Sequence, residues 1–352
     1  MAIPMTRTLP HAPPAAAFAA IGALPAVLLI CGALWGGWVL WAGLVWMALA
    51  APLADITLAR AFPDAAPEAR FPGAETGLVL LIALHVALLL AALTGFAGDG
   101  LSLPQRIALF LGAGMYFGQV SNAVAHELIH RPSRALFRLG AAGYVSLLFG
   151  HHASAHRLVH HRLVATPDDP NSAPAGMGFW RFFPRAWLGS FRAGLAAERA
   201  LSARHPGRIN PYLVWNLGAL AMIATVGLAF GPRALLDYLL LCLYAQMQLM
   251  LTDYVQHYGL HRALRPDGRP EPPGPRHSWD SPHALSSLML VNAPRHSDHH
   301  AHPLRAYPAL RLDRRHHPRP MLPYPLPVMG ALALVPPLWR RVMDRRVARL
   351  RG

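Results

Sequence analysis

The amino-acid sequence predicts an all-α membrane protein that crosses the bilayer about six times. Of its 352 residues, 54% are hydrophobic and 14% are charged, whereas a soluble domain carries about 25% charged residues. The apolar residues form long runs, and the basic residues, all of them arginine, gather between and after these runs. A soluble two-domain enzyme and a disordered chain are therefore excluded. The only two cysteines lie within apolar runs, which excludes a disulfide framework.

Six apolar stretches are long enough, or nearly so, to span the membrane, which takes about 20 helical residues. They are residues 18–34, 39–53, 77–97, 107–125, 212–231 and 235–254. The turn around Gly36 and Gly37 predicts that the first two form a helical hairpin. A second span directly behind the first, with no clear cleavage site, favours a retained helix over a signal peptide. Residues 321–339 hold five prolines, which predicts an interfacial or re-entrant segment.

The distribution of arginine predicts the orientation. The loops after spans one, three and five carry almost none, Arg106 and Arg233 excepted, while those after spans four and six are rich in arginine. Because positively charged loops stay inside, both termini and the segments 126–208 and 257–320 are predicted to be cytoplasmic. The net charge of +15 is explained by these loops, so no nucleic-acid partner is expected. We expect residues 1–352 to form one integral membrane domain.

Nine of the twenty histidines fall into four groups next to the predicted cytoplasmic face. They are His126 and His130, then His156, His160 and His161, then His257, and last His296, His299 and His300. Two histidines four residues apart lie on one helical face and can chelate one ion. Neutral imidazole is a good ligand for iron, copper, zinc and nickel. Nine ligands exceed the need of one ion, so two metal ions are predicted.

Other histidines and one other motif allow different interpretations. His126-Glu127-x-x-His130 is the motif of zinc peptidases, in which the glutamate is the general base, but that reading leaves the remaining clustered histidines without a role. His85, in the middle of a span, is expected to be a packing residue, and His261 a surface residue. The stripe of His152, His156 and His160 leaves open whether His151 or His152 replaces a member of the second group.

The histidine groups and their flanking residues resemble the bacterial membrane alkane 1-monooxygenase (alkane ω-hydroxylase) family, within the fatty acid desaturase-like di-iron membrane proteins. The resemblance covers most of the chain. It is carried by Pro52-Leu53-Ala54-Asp55, Asn122-x-x-x-His126-Glu127-Leu128-x-His130, His160-His161-Arg162-x-Val164-Ala165-Thr166-Pro167-x-Asp169-Pro170, His257-Tyr258-Gly259, His277-Ser278-Trp279 and Arg295-His296-Ser297-Asp298-His299-His300-Ala301-His302-Pro303. The run Ala165–Pro170 fixes the register of the second group and disfavours His151 and His152. Departures from the family pattern stand at Ile129, Arg131, Ala155, Val159 and Gln256.

This resemblance implies that the nine histidines bind two iron ions and that no catalytic residue acts apart from them. The implied reaction is O₂-dependent hydroxylation of an unactivated, terminal C–H bond of an alkane or other apolar alkyl substrate. The carboxylates of Glu127, Asp253 and Asp298 are expected to orient metal-bound imidazoles. Trp46 is a candidate for the substrate pocket.

The resemblance also implies an electron donor and a location. The chain lacks rubredoxin cysteines and a glycine-rich dinucleotide motif. The resemblance therefore implies that rubredoxin or ferredoxin, with an NAD(P)H-dependent reductase, supplies the electrons. The bacterial inner membrane is the implied location. An alkyl-aromatic hydroxylase of the xylene type, or a desaturase on the same scaffold, stays open as an alternative.

Overall fold

The structure, a computed structural model, describes residues 7–66, 68–312 and 319–351 and is helical almost throughout. Its helices are α1 (Ala15–Trp35), α2 (Trp38–Leu58), α3 (Ala74–Ala97), α4 (Leu103–Ile129), α5 (Arg134–Ser146), α6 (152–163), α7 (Phe179–Arg204), α8 (Pro211–His257), α9 (Ala284–Met289), α10 (His296–Ala301), α11 (Leu326–Ala333) and α12 (Pro336–Arg351). Two short strands, β1 (Arg7–Thr8) and β2 (Arg60–Ala61), pair in parallel. The predicted all-α class is confirmed.

Five helices, α1 to α4 and α8, are long and apolar enough to cross a membrane within the described chain. The hairpin predicted at Gly36 and Gly37 is present between α1 and α2. Helix α4 begins four residues before the predicted span, since Ser102 and Gln105 form a capping box in front of Leu103. Hydropathy alone misses such polar helix ends.

Helix α8 contains two predicted spans, 212–231 and 235–254, joined in a hairpin. A straight helix of 47 residues would be about 70 Å long. Near its start, however, Trp215 donates a hydrogen bond to Ser154 of α6 (3.2 Å). At its end, the ring of His257 lies 4.8 Å from that of His160, also in α6. The chain reverses at Gly231, whose φ of 81° is readily adopted only by glycine.

Three helices contain a π-helical turn, and one of these turns lies in the histidine region. The turns are Trp46–Ala50 in α2, Phe117–Ser121 in α4 and His156–His160 in α6. After each turn an N–H group donates to the carbonyl five residues earlier, as His161 does to His156. Such turns insert one residue into a helix and occur frequently at functional sites.

Two further segments cover the histidine-bearing face. Helix α7 packs on α6 and buries one side, including Phe179, Phe182 and Ala186. Residues 321–339 are not one straight helix, as predicted, because the chain breaks between α11 and α12. Helix α11 packs against α8 and contributes to the cavity described below.

Candidate metal centre

The fold brings the nine predicted histidines together into two adjacent groups. The first consists of His126, His130, His156, His161 and His299, and the second of His160, His257, His296 and His300. Within each group, one ring nitrogen of every histidine lies within 4.8 Å of the others. His85, His151, His152 and His261 belong to neither group.

The π turn in α6 explains how one short segment serves both groups. Because the helix is widened there, His156 and His161, five residues apart, face the first group together. His160 then points to the second group, where its ring lies 4.9 Å from that of His300. A regular α-helix would instead align His156 with His160. This division could not be read from the sequence.

The geometry of both groups fits a bound metal ion. In the first group, the Nε2 atom of His156 lies 2.7 Å from Nε2 of His126 and 2.9 Å from Nε2 of His161. The Nε2 atom of His161 in turn lies 3.1 Å from Nε2 of His299. In the second group, His296 Nε2 lies 3.0 Å from His257 Nε2 and 3.1 Å from His300 Nε2. Two imidazoles that share an ion at 2.0–2.1 Å, at angles of 90–110°, place their nitrogens about 2.9–3.4 Å apart. Four of these five distances lie in that range, and the fifth, between His126 and His156, is slightly shorter.

The state of the rings also fits metal binding. A neutral imidazole has one N–H group, so rings that face one another through Nε2 in fours and fives cannot all be satisfied by hydrogen bonds. The Nε2 atoms of His130 and His160 are buried and have no hydrogen-bond partner among the described residues. Burial holds the pKa of His130, His156 and His299 well below the usual range. These three rings are therefore neutral, which is the form that binds metals.

Two contacts fix the orientation of rings in the second group. The Nδ1 atom of His160 lies 2.8 Å from the buried carboxylate of Asp169. Although burial acts to lower the pKa of His160, this carboxylate raises it above the usual value. The Nδ1 atom of His257 donates to the carbonyl oxygen of His277 (3.3 Å). Partners of this kind select the tautomer of a metal-binding histidine. Sequence reasoning quoted Asp169 only as part of a motif and missed this role.

The three carboxylates that were expected to orient imidazoles have other hydrogen-bond partners. Glu127 pairs with Arg131 (2.9 Å) and accepts a hydrogen bond from the backbone of Tyr307 (2.9 Å). Asp298 accepts from the backbone of Arg311 (2.9 Å) and pairs with Arg305. These two carboxylates hold the loop that follows α10.

Asp253 is closer to the second group but does not bond to a histidine of it. Asn171 donates its side-chain amide to Asp253 (2.6 Å) and its backbone N–H to Asp169 (3.1 Å). Asp253 thus contacts His160 through two intermediates.

A cavity with a largely apolar wall leads from the histidines along α4, α8 and α11. His126, His156 and His296 form part of its wall at one end. On α4 the most distant lining residue is Met115, and on α8 it is Tyr244. Met115 and His126 are eleven positions apart, which corresponds to about 16 Å of helix. The cavity can therefore hold an extended alkyl chain with one end at the histidines.

Trp46 does not line this cavity. It lies in the π turn of α2 and is partly buried against the core. That turn packs against α4, the helix that carries part of the cavity wall. Its role in the substrate pocket stays a prediction.

Comparison with known proteins shows the family. The family model "Fatty acid desaturase" matches residues 101–331. Alkane 1-monooxygenase 1 of Pseudomonas aeruginosa is 34% identical over 307 residues, which are 84% of this chain and 80% of that protein. Alkane 1-monooxygenase 2 of Alcanivorax borkumensis is 33% identical over 256 residues, which are 72% of this chain and 66% of that protein. The chain belongs to the alkane 1-monooxygenase family.

A more distant relative is named for a different substrate. The hydroxylase component of a xylene/toluene monooxygenase from Pseudomonas putida is 27% identical over 251 residues, which are 68% of this chain and 64% of that protein. Like the alkane 1-monooxygenases, it is named as an oxygenase. Membership of this family makes the chain an O₂-dependent monooxygenase embedded in a membrane.

The family motifs that contain no metal-binding histidine tie the histidine segments together. Trp279 donates its indole N–H to the carbonyl of Tyr258 (2.9 Å). The neighbouring Asp280 accepts from the backbone of Ser297 in α10 (2.9 Å). In α2, Asp55 accepts from two backbone N–H groups at the start of α9, at 2.7 Å each. These contacts fix the positions of α9 and α10 relative to the spans.

The zinc-peptidase interpretation does not fit the centre. A peptidase needs the glutamate of its motif free to activate a water molecule. Here Glu127 is buried in an ion pair with Arg131. His126 and His130 also share their group with three further histidines. Family membership and geometry both exclude this alternative.

We expect Asp169→Asn to weaken metal binding by roughly 10- to 100-fold, as loss of such a partner does in other centres. The amide keeps the volume but cannot hold His160 by charge. Metal content after dialysis against a graded chelator measures the effect. Asp168→Asn is the matched control, since the neighbouring Asp168 is exposed. Equal metal retention by the two variants would show that Asp169 does not support the centre.

Proposed function

We propose that this protein is a di-iron monooxygenase that hydroxylates the terminal carbon of an alkane or similar apolar alkyl chain. Its two irons are held by the nine histidines of the two groups. The observation that carries the proposal is the cavity with a largely apolar wall, which ends at His126, His156 and His296. The reaction is R–CH₃ + O₂ + 2e⁻ + 2H⁺ → R–CH₂OH + H₂O. When bound, the iron pair would supply the activation of O₂ and the redox chemistry.

The residues of the chain supply position and environment. The histidines hold the ions and do not act as acids or bases while coordinated. The walls from α4, α8 and α11 exclude water from the alkyl chain and align it with the helices. An apolar substrate partitions into the bilayer and enters between the helices. Only its end then reaches the metal groups, which favours oxidation of the terminal carbon.

Feeding candidate substrates to cells that express the protein tests this function. Cells that express the protein with a suitable redox partner are fed a panel of alkanes, fatty esters and alkyl aromatics under ¹⁸O₂. We expect primary alcohols that carry one ¹⁸O atom, and about two irons in the purified protein. Dehydrogenated products without ¹⁸O would identify a desaturase instead. Full activity with about one zinc per chain and no iron would overturn the di-iron proposal.

An alkyl-aromatic substrate is the second candidate. It is favoured by the match to the xylene/toluene monooxygenase component. Oxidation of a ring methyl group uses the same centre and the same balance of atoms. The feeding panel distinguishes the two, since an alkyl-aromatic enzyme prefers xylenes to linear alkanes of equal carbon number.

We further propose that electrons come from rubredoxin or ferredoxin, reduced by an NAD(P)H-dependent reductase. From the basic segments we infer that the termini and the centre lie on the cytoplasmic side of a bacterial inner membrane. On that side a recess lies between Val347 of α12 and His277. The carbonyl of His277 bonds to His257 of the second group. Exposed arginines near the recess include Arg276 and Arg349, which suit an acidic donor.

Reversing charge at this recess is expected to weaken coupling to the donor. In Arg276→Glu/Arg349→Glu, we expect the KM for rubredoxin to rise about tenfold at low salt, because the rim no longer attracts an acidic protein. Raising ionic strength should reduce wild-type turnover and narrow the difference. Arg233→Gln is the control, since Arg233 pairs with Asp99 next to the reversal of α8 at Gly231, away from the end of α8 that carries His257. Wild-type donor kinetics that are insensitive to salt would contradict this docking surface.

A further inference from the structure

One polar group on the cavity wall has no role in holding the metal groups. Asn122 lines the cavity on α4, four residues before His126. It therefore lies on the same helical face, one turn or about 6 Å farther from the centre. A primary amide is costly to place in an apolar cavity unless its groups are paired.

The orientation of this amide is fixed from behind. Tyr144 of α5, which is fully buried, donates its hydroxyl to the side-chain oxygen of Asn122 (3.0 Å) and contacts its backbone oxygen (3.3 Å). Since the amide is planar, its NH₂ group points away from Tyr144. No partner for this NH₂ group is present among the described residues. Because Asn122 lines the cavity, we infer that this NH₂ group is directed into it, one turn from His126.

We propose that Asn122 donates a hydrogen bond to the hydroxyl oxygen of the primary alcohol as it forms, and that Tyr144 is the residue that positions it. An alkane has no acceptor, so this contact does not contribute to alkane binding. The contact therefore stabilises the alcohol product, and the transition state that resembles it, relative to the bound alkane. The inference rests on the proposed function, since it assumes that a carbon is hydroxylated at this end of the cavity.

The test compares an alkane with the primary alkanol of equal carbon number. Decane is the substrate, and 1-decanol is a competitive inhibitor. In Asn122→Leu, which keeps the volume, we expect the Ki of 1-decanol to rise about fivefold, the effect of losing one hydrogen bond. The KM for decane should stay within about twofold, with unchanged metal content. Asn122→Asp keeps the acceptor for Tyr144 but removes the donor, so it should also raise the Ki.

A double-mutant cycle separates this role from a structural one. Tyr144→Phe should raise the Ki by a smaller factor, and Asn122→Leu/Tyr144→Phe should match Asn122→Leu alone, because Tyr144 acts through Asn122. Gln119→Leu, one turn farther along the cavity, should change the KM and the Ki by equal factors. An unchanged Ki in both Asn122 variants, or a Tyr144→Phe effect that persists without Asn122, would overturn the proposal. Absence of alcohol formation by the wild type would instead refute the proposed function.

Discussion

His160→Ala and His299→Ala are each expected to remove metal from a different group. His160 is one of four histidines in the second group, and His299 is one of five in the first. Loss of His160 leaves three ligands, so we expect about one of two irons to be lost. Loss of His299 leaves four, so this variant should keep more metal at low chelator concentration. Activity should fall by more than about 100-fold in both, because even outer partners of metal ligands are worth 10- to 100-fold.

Iron analysis and Mössbauer spectroscopy of the purified variants measure this result. The control is His205→Ala, since His205 is exposed and belongs to neither group. It should keep two irons and full activity. Equal loss of both irons in His160→Ala and His299→Ala would show that the two groups do not bind metal separately. Full iron content in both would refute the ligand assignment.

Tyr244→Ala is expected to shift substrate preference toward longer alkanes. Tyr244 and Met115 are the lining residues farthest from the histidines on their helices. The Tyr244 ring is held in place, because it stacks on Phe110 with centroids 5.8 Å apart. Removing the ring extends the cavity, and the ratio of rates for long and short alkanes should rise at least about tenfold, since each extra methylene in an apolar pocket is worth a comparable factor.

Gly114→Ala should act in the opposite direction. A Cβ atom at Gly114 would overlap with Cδ1 of Tyr244, so the ring must move. Phe110 blocks movement to one side, and displacement into the cavity shortens the space for the alkyl chain. Opposite shifts in two neighbouring variants are hard to explain by general loss of stability. A chain-length profile that is unchanged in both would show that Tyr244 does not end the cavity.

Trp46→Ser is the matched comparison, since the sequence analysis names Trp46 as the candidate residue of the substrate pocket. We expect its effect to be smaller than that of Tyr244→Ala, because Trp46 does not line the cavity. Metal content should be unchanged in all three variants. If Trp46→Ser alone lengthens the preferred alkane, the residue that limits chain length lies in α2, as the family resemblance implies.

The sequence determined the fold class and the identity of the nine clustered histidines. Long apolar runs force helices in a bilayer, because backbone groups in lipid must bond within their own segment. Histidines at helical spacing next to those runs must meet at one level when the spans pack. Local chemistry therefore grouped these histidines without knowledge of the tertiary contacts, and the family resemblance fixed the register of the second group.

Only the tertiary structure decided how these histidines are divided and what surrounds them. The assignment of His156 and His160 to different groups depends on one π turn, which leaves no mark in residue periodicity. The contact of Asp169 with His160, and the burial of Glu127 in an ion pair, depend on loops whose course is set by packing. Tyr244 and Asn122 line the cavity because of how α4, α5 and α8 cross. Sequence patterns report which face of a helix is apolar, whereas the neighbour of that face is determined by the packing of distant segments.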